Sequence, residues 1–266
     1  MSRVLCSDVG ATVLNQDIYE ISATQKQRLG TRVVRGDKVY RYAKAGATMT
    51  SNATAAWAIY NQTISYASIQ AAAAIGDSTV KITVAATDGV ANDGVFAVDA
   101  LAGGSILIAL TSGYAEIFHF TIAGNLAKIS GSGTLTVYLD GELPVAITTS
   151  SFAEAMVSPY SDVRTGNHGG FAMCLGVSQR LLTTTYPYGW IQTWGPTWIT
   201  PQAAVGKLWH NQEAYFRDDG SIGVRIGGGD PGGDAYVQNA QVAGVVMCHA
   251  QDNSQGAPFL FLQVAP

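Results

Sequence analysis

Three glycines, Gly227, Gly229 and Gly232, spell G-x-G-x-x-G, the spacing with which a tight strand-to-helix loop sets backbone amides against a pyrophosphate. That chemistry needs the loop to open a helix. Pro231 interrupts it and Gly233-Asp234-Ala235-Tyr236-Val237 starts none, so the stretch reads as a flexible loop between strands. The acids Asp218 and Asp219, and Asp230 with Asp234, lack the D-x-[DN]-x-[DN]-G spacing that wraps oxygens around a hard cation; they read as solvated turn residues, with 217–220 a hairpin turn. Of the four histidines, His119, His168, His210 and His249, only His249 adjoins a nucleophile, Cys248. Neighbours on a strand point to opposite faces, so those two cannot act on one another. No G-x-S-x-G elbow, H-E-x-x-H or P-loop is present. The expectation is a chain that is not an enzyme, with no catalytic residue, no metal ligands and no cofactor.

The strongest electrostatic feature is a basic segment. Lys26, Arg28, Arg32, Arg35, Lys38, Arg41 and Lys44 stand against one acid, Asp37, in a chain of net charge −4, which leaves the rest at −10. With Tyr40 and Tyr42 interleaved, such a segment can neutralise and stack a nucleic-acid strand, dock on an acidic protein surface, or form a solvated hairpin face. The acidic remainder would repel a phosphate backbone, which favours protein docking and argues against nucleic acid.

These residues need elements to position them. Residues 17–28 read as a short helix, with Asp17 before it and basic residues near its end. Residues 31–43 carry two alternating β-branched and aromatic runs pivoting on Gly36-Asp37, a hairpin signature. Residues 52–60 suit either one or two helical turns or an extended arm anchored by Trp57 and Tyr60. Short strands then recur with glycine turns between them: 78–84, 94–100, 105–110, 115–122 and 134–139, the last ending at Asp140-Gly141. That rhythm predicts a sandwich or barrel, because a βαβ fold would need intervening helices. Past Ser158-Pro159-Tyr160, strands are expected at 171–177, 188–194, 221–226, 242–250 and 259–264. Residues 186–209 hold four of the five tryptophans, Trp190, Trp194, Trp198 and Trp209, the densest source of buried area.

Only 13% of residues are charged, 47% are apolar and 30 are glycine, which excludes a disordered chain and implies weakly polar surface hidden against a partner or a second copy. No apolar run reaches membrane-spanning length, and Asp8 precedes any signal-peptide core, so the expectation is synthesis in the cytoplasm without a membrane partner. Cys6, Cys174 and Cys248 are three, widely separated and without a C-x-x-C pair, which suggests neither a disulfide framework nor a zinc site.

The order of segments resembles a diverse group of small virion proteins of tailed bacteriophages, encoded near the major capsid protein, that decorate or cement the head. The likeness is carried by Leu29-Gly30-Thr31, by the aromatic strand from Gly36-Asp37-Lys38 to Lys44-Ala45-Gly46, by residues 75–84, by Ser158-Pro159-Tyr160-Ser161-Asp162-Val163, and most clearly by Gly189-Trp190-Ile191-Gln192-Thr193-Trp194-Gly195-Pro196. Residues 242–247 and 259–264 match a glycine-containing strand paired with an apolar last strand. The likeness covers 29–264, and residues 248–253 depart from it in being less acidic.

The expectations are therefore a mainly β chain, with an N-terminal hairpin or arm followed by two small antiparallel β-barrel or β-sandwich domains. The segments are an arm at 1–65, a β domain at 66–158 and a second at 159–266. The resemblance implies a capsid-decorating protein on the outer surface of the virion, whose partners are the major capsid protein and itself, as a closed homo-oligomer, a trimer. Lys26, Arg28, Arg32, Arg35, Lys38, Arg41 and Lys44 are the expected capsid contacts, and Trp190, Trp194, Trp198 and Trp209 the expected oligomer contacts. The alternative is a host-surface or glycan-binding module of a head or tail fibre, using Tyr186, Tyr188 and Trp198 as stacking rings.

Overall fold

The structure, a computed structural model, describes residues 16–57, 63–110, 116–166, 173–201, 205, 212–217, 219–223, 241–248 and 259–266. The chain is mainly β, in two antiparallel sheets, and among the described residues the sole helix is a single 3-10 turn at Pro159–Ser161. It divides into two compact units, unit 1 comprising Met1–Tyr60 with Tyr160–Pro266 and unit 2 comprising Asn61–Pro159. The expected arm thus shares a unit with the C-terminal half.

Unit 1 begins with β1 (Arg32–Arg35) and β2 (Lys38–Lys44), joined at Gly36-Asp37 as the pattern predicts. Gly36 takes φ 57 at the first central position, which a two-residue hairpin turn of this hand requires. The short helix expected at 17–28 is absent. Asp17 Oδ1 accepts a hydrogen bond from the Tyr19 amide, and Glu20 Oε2 accepts one from the Asp17 amide. Ser22 bridges to Tyr188, so local side-chain bonds and docking on the sheet replace the helical ladder. Of the two readings of 52–60, the extended one holds for β3 (Thr54–Trp57).

Unit 2 holds β4 (Ile64–Ser68), β5 (Thr79–Val84), β6 (Ser105–Ala109), β7 (Ile117–Asn125), β8 (Gly133–Leu139) and β9 (Phe152–Met156). Their order is β4-β9-β6-β7-β8-β5, and the sheet curls until its ends meet at the Ile69–Ile82 bridge. Period-two alternation places Val80, Ile82, Val84, Ile106, Ile108, Leu135 and Val137 inside. The strand expected at 94–100 does not form. Gly94 and Asp99 take positive φ, and only Phe96 bridges to another segment, at Lys128.

The chain returns to unit 1 with β10 (Val163–Thr165), β11 (Cys174–Ser178), β12 (Tyr188–Trp198), β13 (Glu213–Phe216), β14 (Ile222–Gly223), β15 (Val242–Cys248) and β16 (Phe259–Gln263). The sheet runs β10-β3-β11-β12-β16-β15-β13-β14, with β2 also paired to β12. The longest strand, β12, organises the unit through three partners, with Trp190 opposite Tyr42 and Trp198 opposite Phe259. A bulge between Gln192 and Trp194 brings Gly195, at φ 89, so close to the hairpin turn that a Cβ there would lie 2.1 Å from the Asp37 carbonyl oxygen. Gly195→Ala therefore combines left-handed strain with a backbone clash, and is expected to cost about 3 kcal/mol, read as a lower urea midpoint with an unchanged slope.

Candidate assembly surfaces

The hairpin register decides where the cations go. Arg32 lies opposite Arg41 and Arg35 opposite Lys38. Cross-strand partners share a face and neighbouring residues do not, so the basic segment is split between two faces. Like charges directly opposite one another are unfavourable, and each pair is tempered by a bond elsewhere. Arg35 pairs with Asp17 at 3.2 Å, where both side chains are well exposed and the pair contributes little to stability. Arg32 Nε donates to the Pro266 oxygen at 3.2 Å.

Arg41 is half-buried, donates to the Gly30 carbonyl at 3.2 Å and lies 5.9 Å from the Tyr160 ring centre, so part of its side chain is engaged within the unit. Lys44 is exposed and lies 6.0 Å from the Tyr188 ring centre, Lys38 is half-buried, and Lys26 and Arg28 are exposed ahead of the hairpin. The exposed cations of the segment are thus Lys26, Arg28, Arg32, Arg35 and Lys44.

Tyr40 and Tyr42, expected to interleave with the cations at the surface, are instead core residues at 1% and 0% exposure. They pack with Ile18 and Trp190. Trp190 meets Tyr42 edge-on, with ring centres 5.1 Å apart, and its Nε1 donates to the Gln16 carbonyl at 3.2 Å. Gln16 ties this cluster together, because its Oε1 accepts from the Tyr42 hydroxyl at 2.7 Å and its Nε2 donates to the Glu20 and Tyr188 carbonyls. Burial pushes the Tyr40 hydroxyl up to about 12 and raises Tyr42 as well, so both stay neutral donors. Trp190 is therefore no oligomer contact: it is 2% exposed, and its surface is spent inside the unit.

Trp194 and Trp198 behave differently. With Pro196 they are half-buried, alternating with the buried Gly195, Thr197 and Ile199. On β16 the exposed Phe259 and half-buried Phe261 alternate with buried Leu260 and Leu262, and lie opposite Trp198 and Pro196. Trp194 packs edge-on against Phe261 at 5.6 Å. Beyond it on β15, Val245 lies opposite Phe261, and Met247 is exposed. Three adjacent strands thus present one apolar face, whose most exposed members are Phe259 at 56% and Met247 at 54%. Sequence reading found its tryptophans from their density. It missed Phe259, Phe261 and Met247, whose place beside β12 depends on pairing.

The remaining candidates scatter. Trp209, His168, His210, His249, Asp218, Asp230, Asp234 and the Gly227-Gly229-Gly232 loop lie outside the described residues. Asp219 Oδ1 accepts from the Ser221 amide and hydroxyl, and the Arg217 amide donates to the Ser221 carbonyl, which makes the expected turn between β13 and β14. Tyr186 is exposed, but Tyr188 stacks on Tyr42 with planes 12° apart. Tyr188 and Trp198 also sit at opposite ends of β12, about 33 Å apart at strand rise, so the three rings expected to stack on a sugar form no shared platform. Among the described residues no group of three or more metal-ligating side chains converges, and no helix is long and apolar enough to cross a membrane. No protein family, curated protein or solved structure matches the chain.

Proposed function

We propose that this chain is a structural protein of a tailed-phage virion that decorates or cements the capsid through contacts between subunits. Copies associate through the outer face of β12, β16 and β15 into a closed homo-oligomer, a trimer, and the exposed cations from Lys26 to Lys44 meet the acidic outer surface of the major capsid protein. The observation that supports self-association is the apolar face of Trp194, Pro196, Trp198, Phe259, Phe261 and Met247, in a chain only 13% charged. Contiguous apolar patches of this kind are uncommon on soluble monomers, and closing a ring covers them on every copy. The capsid as partner rests on the segment resemblance, and the net positive hairpin is the feature that suits an acidic surface.

Phe259 is the most exposed member of the patch, and an aspartate there keeps the fold while placing a charge in the interface. Phe259→Asp is expected to shift sedimentation velocity from trimer to monomer with an unchanged far-UV circular dichroism spectrum. Arg28→Glu with Arg32→Glu is expected to abolish co-sedimentation with tailed-phage heads while leaving the trimer intact. A wild-type chain that stays monomeric at its highest soluble concentration and does not pellet with heads would overturn the proposal.

A further inference from the structure

Unit 2 carries an aromatic site of its own, independent of the assembly reading. β4 is bulged against β9 between Ile64 and Ala67, and within the bulge Tyr66 adopts φ 52. A positive φ is a genuine outlier for a bulky aromatic residue, and strained conformations of this kind concentrate where a side chain must be aimed for a purpose. Here the strain turns the ring outward, 49% exposed, rather than into the core. The Tyr66 ring is backed by Phe152 on β9, with centres 4.9 Å apart and planes inclined by 42°, so the two form a bent platform.

The same face supplies hydrogen-bonding groups in register. Glu154 lies opposite Leu107, and Leu107 lies opposite His119, which puts a carboxylate and an imidazole in one row with an apolar residue between them. Phe152 and Glu154 are two apart on β9 and share that face. At the spacing of neighbouring strands, Glu154 and His119 stand about 10 Å apart, a separation bridged by two linked sugar rings rather than one. Charge narrows the ligand. Unit 2 holds eight acids against two lysines, and Lys128 is turned inward, so polyanions such as nucleic acid or acidic glycans are repelled.

We propose that this face binds a neutral oligosaccharide, one pyranose stacked on Tyr66 and Phe152 and the next reaching Glu154 and His119 through its hydroxyls. Stacking uses the apolar C–H face of the sugar, and the carboxylate and imidazole fix its orientation.

The test uses the full chain and three neutral probes, cellohexaose, maltohexaose and chitohexaose, followed by saturation-transfer NMR and titration. At least one is expected to bind saturably, with transfer strongest at the ring C–H protons. Tyr66→Gly fits the positive φ without strain, so it is expected to weaken that binding at least tenfold while the thermal midpoint is unchanged or higher. Three results would each overturn the proposal: no saturable binding by any probe, binding that Tyr66→Gly leaves unchanged, or a thermal midpoint that falls together with binding, which would make the ring a structural prop.

Discussion

Trp190→Ala is expected to destabilise the protein by about 3–5 kcal/mol, the range for removing a buried large aromatic side chain. The loss has three parts. The ring is 2% exposed, so its removal opens a cavity beside Tyr40 and Tyr42. The edge-on contact with Tyr42 goes with it. The Gln16 carbonyl loses its indole donor, and Gln16 is one of the residues, with Ser22 and Lys26, that bond the segment preceding β1 to Tyr42 and to the Tyr188 carbonyl. Urea unfolding followed by far-UV circular dichroism reads the change, since the substitution removes a fluorophore. Phe259→Asp provides the contrast, because it should alter sedimentation and leave the folded monomer's secondary structure intact. If Trp190→Ala left the unfolding midpoint in place and dispersed an oligomer, the assignment of Trp190 to the core would be wrong.

Lys128→Met is expected to cost about 3 kcal/mol, at the upper end for hydrogen bonds to a charged donor. Lys128 is 8% exposed, an unusual place for a lysine, and its ammonium donates to the carbonyls of Gly94, Ser130 and Gly131. Those three acceptors belong to two loops that lack regular pairing, so the ammonium takes the part that a ladder of amides takes elsewhere in the barrel. Methionine keeps an unbranched apolar stem, ends one atom short of the lysine nitrogen and supplies none of the three protons. The barrel wall beside it should loosen first, and hydrogen exchange at the Phe96 and Lys128 amides, which bond to one another's carbonyls across that wall, should accelerate before that of β5 and β8. Equal acceleration throughout unit 2 would show that the lysine stabilises the whole unit rather than its local loops.

Much of the local structure was legible from residue order. Alternation in 78–84 and 134–139 announced β5 and β8, and the structure pairs them without a slip from Thr79–Tyr138 to Val84–Gly133. Gly36-Asp37 announced its hairpin because a two-residue turn between β-branched runs has few other uses. Local patterns misled where long-range packing prevailed. Residues 17–28 have helix-compatible chemistry, yet the buried Gln16 and the Ser22 bridge lay that segment against β12, more than 160 residues away. Residues 94–100 are apolar enough for a strand, but positive φ at Gly94 and Asp99 bends them into turns around Lys128. Tyr66 gave no local sign at all, since a left-handed tyrosine is disfavoured in isolation and is held only by its neighbours.

The candidate surfaces divide along the same line. Composition and spacing by themselves determined that the chain is mainly β, that its turns are rich in glycine, that a basic hairpin sits near its beginning and that tryptophans crowd one long segment. Those properties depend on residue type and period, which are local. Only the tertiary structure decided which side each of these residues serves. Tyr40, Tyr42 and Trp190 became core while Trp194 and Trp198 joined an outer face with Phe259 and Met247, and the cations were divided by register. The physical reason is that a strand has two faces and two edges of nearly equal local chemistry. Which of them is buried depends on partners brought from the far end of the chain.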